Sequence, residues 1–99
     1  MAKITIVWDI LAKSSFKKHI RYIAEDSIQN ADKVRLDILS MIDLLPENPK
    51  KFPIDRFKVK NDGSFRAFEK HSLRIVYMID KDQVRILRVR HIKQEPKEY

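Results

Sequence analysis

The sequence predicts an α+β fold: an N-terminal strand, an antiparallel two-helix hairpin, then three or four antiparallel strands forming one sheet packed on the helices. Three observations predict it. Apolar residues recur at helical spacing in the first half, they alternate in the second, and a proline-rich stretch separates the two regimes. The chain of 99 residues reads as one domain, residues 1–99, with no internal repeat.

"KITIVW" alternates and is β-branched, so Ile4 to Trp8 is the first predicted strand. Asp9 suits a helix N-cap, and Ala12, Phe16, Ile20 and Ile23 then draw one apolar stripe, with Lys13, Lys17, Lys18 and Arg21 around the other side. Ser27 is a second cap. Behind it Ala31, Val34, Ile38, Met41 or Ile42, and Leu45 repeat the stripe, so the two helices form a hairpin across a short polar turn. Pro46, Pro49 and Pro53 stop the second helix. Beyond them "RFKVK" and "SFRAFEK" flank "NDG", where Asp62 and Gly63 suit a tight hairpin. "LRIVYMID" places Leu73, Ile75, Tyr77 and Ile79 on one face and Arg74, Val76 and Met78 on the other, and "KDQ" turns the chain into "VRILRVRHI".

Charge is distributed unevenly. Lys and Arg number 21 against 14 Asp and Glu, a net +7; residues 1–49 carry seven of each sign, and residues 50–99 carry 14 basic and 7 acidic side chains. The whole excess lies in the sheet half, which favours a polyanion or an acidic protein as partner. The absence of cysteine excludes a disulfide framework and a thiolate zinc site. The start "MAKITIVWDIL" lacks a secretory leader's apolar stretch, and no run reaches the roughly 18 apolar residues that span a bilayer, so a cytoplasmic protein without a membrane partner is expected.

Candidate chemistry gathers in the same half. Arg74 shares a face with partly buried residues, so its guanidinium needs an anion: a phosphate, or a carboxylate such as Glu69 or Asp80. Arg66 lies on a neighbouring strand that can bring it beside Arg74. His91, ending the last strand, can exchange a proton near cellular pH, and Tyr99 can add a hydroxyl; Lys70 and His71 can reach the same place. Lys58, Lys60, Arg88, Arg90 and Lys93 are expected nucleic-acid contacts. There is no glycine-rich phosphate loop, HExxH, GxSxG or metal-ligand spacing. A hydrolase built from these residues works without metal or cofactor. RNA permits that, because its own 2′-hydroxyl attacks the adjacent phosphate when a base, cationic stabilisation and a proton donor are supplied.

"VW", "HIRYIAEDS", "LLPENP", "FRAFEKHSLRIVYMID", "VRILRVRH" and "EPKEY", taken in order, resemble the RelE/ParE superfamily of toxins from bacterial type II toxin-antitoxin pairs. The likeness covers nearly the whole chain. It implies a small cytoplasmic toxin neutralised by a cognate acidic antitoxin that covers its basic face. The RelE branch implies a metal-independent endoribonuclease that cleaves mRNA on the ribosome, with Arg74 and Arg66 as cationic groups and His91 and Tyr99 as further catalytic candidates, to which Lys70 is added by its position alone. Phe68 departs from that pattern where a lysine would strengthen it. The ParE branch implies inhibition of DNA gyrase by binding alone, and "IRYIAEDSIQNADKV" is at least as similar to it. The cluster of Arg66, Arg74, His91 and Tyr99 makes the endoribonuclease the leading expectation.

Overall fold

Caps set the helix limits. The structure, a computed structural model, describes residues 3–94 and 97–99, so Glu95 and Pro96 of "EPKEY" lie outside the described residues. Strand β1 (Thr5–Trp8) leads into helix α1 (Ile10–Asp26), whose N-cap Asp9 accepts the Leu11 amide at 3.0 Å. Ser27 closes α1 through its own amide and caps helix α2 (Ile28–Asp43) by accepting the Asn30 amide at 3.1 Å. One residue therefore ends the first helix and begins the second, which is why the connection is so short. A 3-10 turn, Leu45–Glu47, carries the chain into the proline-rich segment.

Strands β2 (Phe65–Lys70), β3 (Leu73–Asp80) and β4 (Gln83–His91) are antiparallel neighbours. Strand β1 joins them parallel to β4, giving the order β1-β4-β3-β2. Both helical stripes face this sheet. Ala12, Phe16, Val34, Ile38 and Ile42 meet Leu73, Ile75, Tyr77, Val84, Ile86 and Val89 in one core. Among the described residues no helix is long and apolar enough to cross a membrane.

The hairpin expected across "NDG" does not form, and "RFKVK" is not a strand of the sheet. The Asn61 side chain closes a loop instead, accepting the Gly63 and Phe65 amides and donating to the Asp55 and Phe65 carbonyls. Positive φ falls at Lys60 and Gly63 rather than at Asp62. Freed from β2, the segment pairs with the tail: Tyr99 N–H donates to Phe57 O at 3.0 Å and Val59 N–H to Tyr99 O at 2.6 Å.

The tight turn lies between β2 and β3, where His71 and Ser72 have φ of 52° and 65°. Two positive values make the geometry that Asn-Gly adopts without strain. Glycine at position 72 relieves a left-handed cost of about 1 kcal/mol. Ser72→Gly is accordingly expected to raise the thermal midpoint by about 4–8 °C, read by calorimetry.

A bulge in β4 decides where the arginines point. Tyr77 pairs with Ile86 and Val76 with Arg88, which leaves Leu87 without an opposite residue. An extra residue inverts the alternation beyond it. Without it, Arg88 would follow Val84 and Ile86 into the core; with it, Val89 takes that place at 3% exposure and Arg88 and Arg90 emerge on the outer face.

Candidate functional site

Register sorts the candidate residues onto two faces. Directly paired antiparallel residues point the same way, so Glu69, Arg74 and Arg90 form one row across β2, β3 and β4, and Ala67, Val76 and Arg88 form the next. Both rows lie on the outer face, away from the helices. Lys70, Leu73 and His91 form a row on the helix face, as do Arg66, Tyr77 and Ile86.

Arg66 therefore does not stand beside Arg74. It holds the proline segment in place: Nε donates to Gly63 O at 3.0 Å, and Nη1 to Phe52 O at 2.8 Å and Lys50 O at 3.2 Å. Lys70 is exposed at the end of β2, and the adjoining His71 ring is 2.7 Å from Asp37 on α2. His91 turns toward α1, its ring centroid 6.5 Å from that of His19. Its Nδ1 accepts the Lys93 amide at 3.1 Å.

Arg74 and Tyr99 do converge, on a residue that the sequence patterns do not single out. Asp55 is 1% exposed. Its Oδ1 accepts Arg74 Nη2 at 2.8 Å and the Phe57 amide at 3.1 Å, while Oδ2 accepts the Tyr99 hydroxyl at 2.6 Å. Arg74 Nη1 also donates to Glu69 at 3.1 Å, so Glu69 fills one expected carboxylate role and Asp55, not Asp80, the other. Burial pushes the Asp55 carboxyl up, but the hydrogen bonds from Tyr99, Arg74 and the Phe57 amide outweigh it and hold the group below its ordinary range. Burial, reinforced by the bond to Asp55, pushes the Tyr99 hydroxyl well above its ordinary value. Tyr99 thus stays protonated and donates; it is no base at neutral pH.

Aromatic rings seat the remaining cations. Arg88 lies 4.1 Å above the Tyr99 ring, Arg74 is 5.0 Å from that of Phe57, and Lys58 Nζ is 4.8 Å from Phe65 and 5.1 Å from Tyr99. Among the described residues neither Arg88 nor Arg90 is paired with a carboxylate. Lys60 and Lys93 are exposed. The cavity bounded by Asp55, Arg74, Arg88 and Tyr99 measures only about 20 Å³, and a second, of about 190 Å³, is bounded by Arg74, Glu69, Arg90 and His91. A groove of about 1270 Å³ runs past it between α1 and the last residues of β4, with Leu11, Lys18, His19, Arg88, Arg90 and His91 along its walls. No group of three or more His, Cys, Asp or Glu side chains that could hold a metal gathers among the described residues.

The fold is similar to those of three solved structures. The chromosomal ParDE toxin-antitoxin system of P. aeruginosa matches with a TM-score of 0.68 at 14% identity, over 89% of this chain and 95% of that one. The YoeB dimer of Staphylococcus aureus matches with a TM-score of 0.56 at 18% identity, over 91% and 98%. The toxin-antitoxin complex RelBE2 of Mycobacterium tuberculosis matches with a TM-score of 0.54 at 19% identity, over 92% and 93%. At these identities the likeness establishes the fold alone. No curated protein matches the sequence. The family model for the ParE toxin of the type II toxin-antitoxin system parDE matches residues 6–96, most of the chain and all of its strands and helices but the first residue of β1; the chain belongs to the ParE toxin family of type II toxin-antitoxin systems.

Proposed function

We propose that this toxin arrests growth by binding DNA gyrase through the cationic outer face of its sheet, without catalysis. The observation that carries the reading is the state of Arg74. Its guanidinium is held by Asp55 and Glu69, so both of its Nη groups are already engaged by carboxylates within the protein. Tyr99 donates its hydroxyl hydrogen bond to the same carboxylate, and His91 projects from the helix face of the sheet while Arg74 projects from the outer face. Arg88 and Arg90, with Lys58 beside them, remain as a rigid charged surface, which suits recognition of a target better than bond cleavage. Membership of the ParE family supports the same choice.

A metal-independent, ribosome-dependent mRNA endoribonuclease is the second reading. The groove favours it, because the imidazoles of His19 and His91 line one cleft with Arg88, Arg90, Lys18 and Lys93. Either way the toxin works in the cytoplasm, and its cognate antitoxin is acidic, complementing the positive groove. Purified toxin is expected to stop supercoiling by gyrase at near-stoichiometric amounts while ribosome-bound transcripts stay full length. New transcript ends at the onset of growth arrest, with supercoiling intact, reverse the order of the two readings.

A further inference from the structure

Strand β1 covers only part of β4. Trp8 pairs with Ile86, the Asp9 amide reaches Ile86 O at 2.8 Å, and beyond that point α1 replaces a neighbouring strand. Side chains satisfy part of this edge: Ser15 Oγ donates to Val89 O at 2.7 Å, and Gln94 Oε1 accepts the His91 amide at 3.0 Å. The groove alongside is amphipathic. Leu11, Tyr22 and Leu87 line it, yet among the described residues its charged side chains are Lys18, Lys58, Arg88, Arg90 and Lys93 against Asp9. Asp9 is already engaged as the α1 cap. An extended polypeptide with alternating apolar and acidic residues complements such a surface.

His19 and His91 face each other at this end. They differ in one respect. The Nδ1 of His91 accepts the Lys93 amide, which leaves its Nε2 as the N–H and equips the neutral ring to donate to an anion. His19, on α1 next to Lys18, is half-buried and makes no hydrogen bond among the described residues. We propose that His19, Lys18 and His91 form a carboxylate-binding site that takes up a proton together with its ligand, and that the ligand is an acidic segment of the antitoxin. The antitoxin reading above is its premise.

The sign follows from the surroundings of His19. Burial, then the neighbouring His91 and Lys18, push its pKa down, so the free toxin holds the ring neutral at neutral pH. A carboxylate beside it offsets the charge of Lys18 and favours the imidazolium. Lys93 and Arg90, on the β4 side of the groove, are cations in either state. Binding therefore draws in about one proton, and affinity rises as pH falls.

The test uses the full chain and a capped peptide of alternating glutamate and leucine, with oligo-uridine as comparison. Titration calorimetry in two buffers of different ionisation heat counts the protons. Peptide affinity is expected to rise on the order of tenfold between about pH 7.5 and 5.5, with about one proton taken up. His19→Gln abolishes that dependence. His91→Gln weakens binding throughout and leaves a smaller slope, because one of the neighbours that lower the His19 pKa is gone, and His71→Gln, away from the groove, changes nothing. A slope that survives His19→Gln overturns the proton-linked site and leaves the antitoxin reading intact. Failure of the peptide to bind at any pH, or oligo-uridine binding in its place, overturns the carboxylate site. Purification of the toxin from its host without an acidic partner overturns the premise itself.

Discussion

Asp55→Ala is expected to cost about 3–5 kcal/mol of folding stability, the range for removing one partner of a buried ion pair. The carboxylate has no exposed route to water and receives Arg74, Tyr99 and the Phe57 amide together. Its loss leaves a half-buried guanidinium with only Glu69, and leaves the Tyr99 hydroxyl without an acceptor. A domain of this size has about 5–15 kcal/mol in total, so denaturant titration should show a midpoint near the edge of measurability. Asp55→Asn costs less, since an amide oxygen still accepts from Tyr99. Because the folded carboxyl lies below its ordinary range, its stabilisation is fully present above about pH 4 and disappears as pH falls through the folded value. Wild-type stability is therefore expected to drop on acidification below about pH 4, and Asp55→Asn to show a shallower slope there. Equal slopes would place the acid sensitivity elsewhere.

The two caps, both helical stripes and the faces of β3 were legible because each rests on contacts or spacing near in sequence: Asp9 to Leu11, Ser27 to Asn30, and the every-second-residue spacing of Leu73, Ile75, Tyr77 and Ile79. What the sequence obscured depends on distant partners. Asp55 looks like any loop carboxylate until β3 and the tail close over it, 19 and 44 residues away. "RFKVK" has strand composition, but its backbone partner is Tyr99. The bulge did leave a signal in the spacing of Val84, Ile86 and Val89, two residues and then three. That break in alternation suffices to put Arg88 and Arg90 on the outer face and His91 on the helix face. The expectation that Arg66 and Arg74 share an anion needed a register that puts both on one face; the observed pairing sets Arg66 opposite Tyr77, on the helix side, instead.

Arg88→Glu with Arg90→Glu is expected to leave the toxin folded and to weaken gyrase inhibition about a hundredfold, at roughly tenfold for each charge reversed. Folding tolerates the change for a specific reason. Arg90 sits directly opposite Arg74, a like-charge pair that disfavours the sheet, tempered by Asp55 and Glu69 on the Arg74 side. Glutamate at position 90 turns that repulsion into attraction, which offsets the stacking of Arg88 on Tyr99 that the double variant gives up. Stability should then stay within about 1 kcal/mol of wild type while activity collapses. Such a division identifies charges retained for a partner and not for the fold. If the double variant stops supercoiling at wild-type concentrations, the outer face is not where the toxin meets gyrase; if it melts early, Arg88 and Arg90 hold the sheet together in a way that the cross-strand pairing does not account for.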